Sequence, residues 1–183
     1  QLQPTFDKEL NKCKDTNYEF STLAGAYLAN LDYMDHNWLQ VNINQVFSQQ
    51  FPANFACALE GLAYGPATRP IYSLLNDNGI IEQALKSYPK GRHSREKLIE
   101  RIALAYLWGE EELDGPRFSI LFELGKEDDL EETSSFFWRV SNQDIEAAQV
   151  ERILQYWERC LSWSDASAEV PVKLLSSLSR LSC

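Results

Sequence analysis

The sequence predicts an all-α protein, and three observations carry that expectation. Apolar residues recur at steps of three and four along most of the chain, the period of one helix face. No stretch alternates apolar and polar residues as a half-buried strand would, and the Gly, Pro and Asn-Gly signals fall between the helical runs. The chain has 183 residues, 44% of them hydrophobic and 12% aromatic, enough for one sizeable core and well outside the regime in which chains stay disordered.

The first helical run covers residues 18 to 31, where Phe20, Leu23, Ala24, Tyr27, Leu28 and Leu31 share a face. Leu39, Ile43, Val46 and Phe47 repeat the pattern. Pro52 then stands where a first helical turn tolerates a missing N–H, followed by Phe55, Leu59, Leu62 and Ala63, and Gly65-Pro66 ends that helix. Thr68 is placed to cap the next, with Pro70 in its first turn and Ile71, Leu74 and Leu75 inside. Asn78-Gly79 reads as a helix-to-helix turn, because no strand pattern flanks it, and Ile81, Ala84, Leu85 and Tyr88 continue helically.

Ser94 is placed to accept from an orphan N–H at the start of a further helix. There Leu98, Ile102, Ala105 and Tyr106 form one face and Ile99, Ala103 and Leu107 a second beside it, so this helix is expected to be buried from more than one side. Asp114-Gly115-Pro116 opens a segment with Phe118, Leu121 and Phe122 inside, closed by Gly125. Asp128 or Asp129 is the expected cap of the following one, which carries Leu130, Phe136, Phe137, Trp138 and Val140. The clearest period belongs to Val150, Ile153, Leu154, Trp157, Cys160 and Leu161, with Asn142 or Asp144 as cap. Last, Leu174, Leu175, Leu178 and Leu181 make a stripe that must pack on something.

The expectation is therefore about eight or nine helices joined by short loops, in a single domain over residues 1–183, built either as an orthogonal bundle or as antiparallel helix pairs stacked into a short solenoid. A local echo favours the solenoid: Ile99-Glu100-Arg101-Ile102 and Val150-Glu151-Arg152-Ile153 occupy corresponding places on two amphipathic helices. In helix layout alone the chain resembles a short HEAT- or armadillo-like run, with no motif that identifies a specific family.

Charge narrows the roles. Seventeen Lys and Arg against 27 Asp and Glu leave a net charge of -10, which repels phosphate backbones and anionic lipid, so neither nucleic acid nor membrane is an expected partner. No apolar run approaches the roughly 20 residues of a bilayer span. Cys13, Cys57, Cys160 and Cys183 are too scattered for a zinc or redox motif and fit reduced thiols in the cytoplasm. A first residue of Gln1 points to a piece of a longer protein.

No G-x-G-x-x-G, phosphate-cradling loop or G-x-S-x-G elbow occurs, and only His36 and His93 offer imidazole, so no cofactor or metal is expected. Two polar segments stand out. The basic run Lys90-Gly91-Arg92-His93-Ser94-Arg95-Glu96-Lys97 leads into a helix start, where Arg92, His93 and Arg95 could hold an anion or a partner; the competing reading is a solvated connector. The acidic stretch 110–132, with Glu110, Glu111, Glu112, Asp128 and Asp129, could be a docking surface for a basic partner or simply a solvated face. The aromatics Phe136, Phe137, Trp138, Tyr156, Trp157 and Trp163 cannot all point inward.

These features favour a helical protein-protein interaction or scaffolding module over catalysis. The alternative is an enzyme or ligand-binding domain whose site is assembled from distant helices, with Glu60, Arg69, Arg92, His93 and Arg95 as residues to inspect.

Overall fold

In a computed structural model the chain is described over residues 3–87, 93–124, 127–167 and 169–181, and among these it is all-α, with no strand. It divides into two compact units, Gln1–Arg95 and Glu96–Cys183. Among the described residues there are twelve helices, where the sequence suggested eight or nine. Two of the additional ones have identifiable causes: a short first helix whose apolar pattern is too brief to read, and a break at Tyr27.

The first unit contains α1 (Gln3–Leu10), α2 (Tyr18–Ala26), α3 (Leu28–Met34), α4 (His36–Val46), α5 (Pro52–Tyr64), α6 (Arg69–Asp77) and α7 (Ile80–Ser87). At Tyr27 the backbone leaves helical geometry (φ -104°, ψ 20°), so the helix expected over 18–31 is two. Helix α1 is held by Phe6, whose ring meets Phe20 and Trp38 edge-on at 5.8 Å, and by the Trp38 indole donating to Asp7 at 2.7 Å. Asp35 caps α4 by accepting from the Trp38 amide.

Asn54, fully buried on α5, organises the loop before α2. Its amide donates to Ser21 Oγ and to the Thr16 carbonyl, and its oxygen accepts from the Asp15 amide, each at 2.8 Å. These bonds hold Asp15 and Asn17 in left-handed backbone geometry (φ 59° and 54°), which short polar side chains tolerate. Asn78-Gly79 is a turn between α6 and α7 as expected, with Gly79 at φ 70°.

Helix α8 (His93–Leu107) begins at the end of the first unit; α9 (Pro116–Leu124), α10 (Glu127–Ser141), α11 (Ala147–Asp165) and α12 (Val172–Leu181) follow in the second. Leu98, Ile99, Ile102, Ala103, Ala105, Tyr106 and Leu107 are all buried, which confirms the two-sided burial read from the pattern. Four rings from four helices form the centre of this unit. Phe118 lies 5.2 Å from Tyr106 and 6.1 Å from Tyr156, and Phe137 lies 4.9 Å from Tyr156, all edge-on. The Tyr156 hydroxyl donates to the Leu130 carbonyl at 2.7 Å.

Leu174 and Leu178 of α12 are buried, and α10 is the element that covers the leucine stripe. The Glu127 carboxylate accepts from the Lys173 and Leu174 amides, satisfying orphan donors at the α12 N-terminus from a neighbouring helix, and Ser177 donates to Glu131. Helix α11 is capped by a reciprocal pair, Glu146 and Gln149, rather than by Asn142 or Asp144. Asn142 instead donates to the Trp138 carbonyl near the end of α10.

Packed helices of this kind are compatible with a helical repeat. The two echoed segments, however, do different work: Arg101 is buried, which pushes its guanidinium below the ordinary value, whereas Arg152 lies across the Tyr106 ring.

Candidate functional site

The candidate surface grows from an unusually close helix crossing. A Cβ built at Gly25 would lie 2.0 Å from the Ala58 carbonyl oxygen, and one at Gly61 would lie 1.9 Å from the Thr22 carbonyl oxygen. Backbone therefore meets backbone between α2 and α5, an approach that only glycine permits. The buried face of α2 is accordingly made of Ser21, Ala24 and Gly25.

That geometry corrects the sequence expectation for two residues. Leu23 and Tyr27 share the apolar period of residues 18 to 31, yet they are 53% and 56% exposed, because small residues take the inner side and rotate them outward. A Cβ at Gly65 would lie 2.7 Å from the Ala26 carbonyl oxygen, so Tyr27 and Tyr64, the chain neighbours of those two residues, flank one contact. Tyr64 is 76% exposed, and its ring centroid lies 6.1 Å from that of His93. The first unit thus presents Leu23, Tyr27, Tyr64 and His93 to solvent around the α2–α5 crossing. Tyr33, Met34 and Val41 are further exposed apolar residues of the same unit.

The basic candidates separate. Arg92 lies outside the described residues, as do Lys90 and Gly91. Arg95 is buried and donates to the Leu85 carbonyl at 3.1 Å, tying the start of α8 to α7, while His93 is exposed beside Tyr64. Ser94 falls inside the first turn of α8 and is buried, so it is not the residue preceding the helix. Of the other residues marked for inspection, Glu60 is half-buried on α5 and Arg69 is exposed at the start of α6.

Within the acidic stretch, Glu111 and Asp129 are buried and form no part of a solvent-facing surface. Glu111 lies 3.2 Å from Arg117 Nε; its own carbonyl accepts from Arg152. Glu112 pairs with Arg152 at 3.1 Å and Asp128 with Lys173 at 3.0 Å, both from exposed positions, and Glu110 is exposed. Asp128 and Asp129 sit inside the first turn of α10 beside Glu127, where carboxylates complement the helix dipole.

His36 is exposed with its Nδ1 2.7 Å from Asp32. Among the described residues no group of three or more His, Cys, Asp or Glu is arranged to hold a metal ion. Cys13, Cys57 and Cys160 are free thiols, and burial pushes Cys160 up to about 12, a thiol with little thiolate character at neutral pH. Of the aromatics, Phe137 and Tyr156 are buried and Trp138 is exposed. The indoles of Trp157 and Trp163 donate to the Leu178 and Phe122 carbonyls at 3.2 Å each.

Among the described residues no helix is long and apolar enough to cross a membrane. Compared with known proteins, the chain matches no family model, no curated protein sequence and no solved structure.

Proposed function

We propose that this chain is a helical protein-protein interaction module of a larger intracellular protein. The observation that supports it is the exposure of Leu23, Tyr27 and Tyr64 around a crossing whose own geometry turns them outward. Burying a side chain of this size is worth about 1.5–3 kcal/mol, a stabilisation that the chain's own fold leaves partly unused at these three exposed positions. Aromatic residues whose hydroxyls stay at the rim are typical anchors of protein interfaces, and His93 beside Tyr64 adds a polar contact.

Affinity capture with the full chain tests this reading. The wild type is expected to retain a protein partner that the combined Leu23→Ser, Tyr27→Ser and Tyr64→Ser variant loses, with circular dichroism showing the fold intact. Absence of both a partner and self-association in the wild type contradicts it.

A further inference from the structure

Helix α11 carries two apolar faces, one buried in the core and the other only partly covered. Ile153, Tyr156 and Cys160 are buried in the second unit. A second set, Ala147, Val150, Leu154, Trp157 and Leu161, follows steps of three, four, three and four, the seam spacing of helices that pair side by side. Val150 and Leu154 are 44% and 47% exposed, and Ala147 is exposed too. Trp157 and Leu161 are half-buried, and the Trp157 indole is fastened to the Leu178 carbonyl of α12. Over these 15 positions the seam is about 21 Å long, two heptads.

One flank of the seam is acidic throughout. Glu151, Glu158 and Asp165 stand seven residues apart, all exposed, at the position that faces a partner's charged flank in a paired helix. Among the described residues none of the three is in an ion pair; Glu151 accepts only from Gln155 at 3.3 Å. The cations of α11 are turned elsewhere, Arg152 to Tyr106 and Glu112 and Arg159 over the Phe122 ring at 5.0 Å. The opposite flank is the buried core face, so the rim is one-sided and of one sign.

We propose that the outer face of α11 docks a basic amphipathic helix of a partner protein. Its apolar stripe lies along Ala147, Val150, Leu154 and Leu161, and its Lys or Arg side chains, a heptad apart, meet Glu151, Glu158 and Asp165. A second copy of this chain is a poor occupant, because two such rims would oppose carboxylate to carboxylate on molecules that each carry a net charge of -10. The proposal rests on the interaction-module reading and assigns it a second surface and the chemistry of the partner.

The test uses the full chain and a fluorescent 21-residue helical peptide with leucines at the seam positions and lysines on the flank, beside a control peptide with glutamates replacing the lysines. The lysine peptide is expected to bind the wild type, and the glutamate peptide not. In the Glu151→Lys, Glu158→Lys, Asp165→Lys variant the lysine peptide should weaken by about tenfold or more and the glutamate peptide should gain affinity. Leu154→Asp should weaken both pairings, with circular dichroism showing the helices retained. Lysine-peptide binding that is absent, or that charge reversal leaves unchanged, overturns the proposal. Capture that depends on Leu23, Tyr27 and Tyr64 would survive that outcome, so loss of the α11 site and loss of the module reading are separately visible.

Discussion

Tyr106 and Arg152 hold each other twice. The Tyr106 hydroxyl donates to the Arg152 backbone carbonyl at 2.7 Å, and the Arg152 guanidinium lies 4.2 Å from the centre of the Tyr106 ring. The pair joins α8 to α11, and Arg152 extends the link to Glu112 and to the Glu111 carbonyl. Tyr106→Phe removes one hydrogen bond but keeps the ring, and is expected to cost about 1 kcal/mol. Arg152→Ala removes the cation over the ring and a donor to the 111–112 turn, and is expected to cost more, about 2 kcal/mol. Urea unfolding of both variants checks the order; because Arg152→Ala leaves the backbone carbonyl and its bond to Tyr106 in place, equal losses would show that the guanidinium contacts are worth no more than that one hydrogen bond.

Stability should fall at alkaline pH. Burial pushes the Tyr106 phenol from 10.0 up to about 12 and the Cys160 thiol from 9.0 up to about 12, and it raises the fully buried Tyr156 as well. Each group keeps its proton in the folded state after the unfolded chain has released its own. The contribution is therefore fully present below pH 9 and is lost as pH rises toward about 12. Urea midpoints should drop between pH 9 and about 12, and Tyr106→Phe should flatten the part of that slope above pH 10. A midpoint constant over this interval would contradict the assigned burial.

The glycine crossing should be the least tolerant point of the first unit. Gly25→Ala and Gly61→Ala each drive a methyl group into a backbone carbonyl that cannot step aside, so each should cost about 2–3 kcal/mol or prevent folding. Gly79→Ala meets nothing within 4 Å, and only its φ of 70° opposes a side chain, for a cost of about 1 kcal/mol. Thermal unfolding of the three variants should separate them in that order.

The α11 cap gives a local check. Glu146→Ala should cost about 1 kcal/mol by releasing the Gln149 amide, whereas Asp144→Ala should change stability by less than about 0.5 kcal/mol. Chemical denaturation of the two variants decides between them.

Much of the fold was legible because helical period is a local property. The two-sided burial of residues 98–107, the Asn78-Gly79 turn and the leucine stripe of α12 all follow from spacing that tertiary contacts only completed. What escaped was set by partners distant in sequence or by residue size. Leu23 and Tyr27 turn outward because the glycines bring α2 against α5. The signal was present in Ser21, Ala24 and Gly25, small residues at steps of three and one, facing Ala58 and Gly61. Arg95 reads as an exposed cation, because nothing local in the sequence shows that its guanidinium donates to the Leu85 carbonyl. The burial of Glu111 similarly depends on Arg117, brought beside it by the turn before α9. For α11, the buried and the seam residues overlap in one apolar run of the sequence, and only their exposure in the folded chain separates them.

The claim that the α2–α5 face binds protein is tested most directly by photo-crosslinking from the face itself. A photoreactive side chain at Tyr27 or at Tyr64 should give a protein adduct, while the same group at exposed Ser87 on α7 should give none. Adducts confined to Tyr27 and Tyr64 would support the interaction module. No adduct at either position, or equal yield from Ser87, would contradict it.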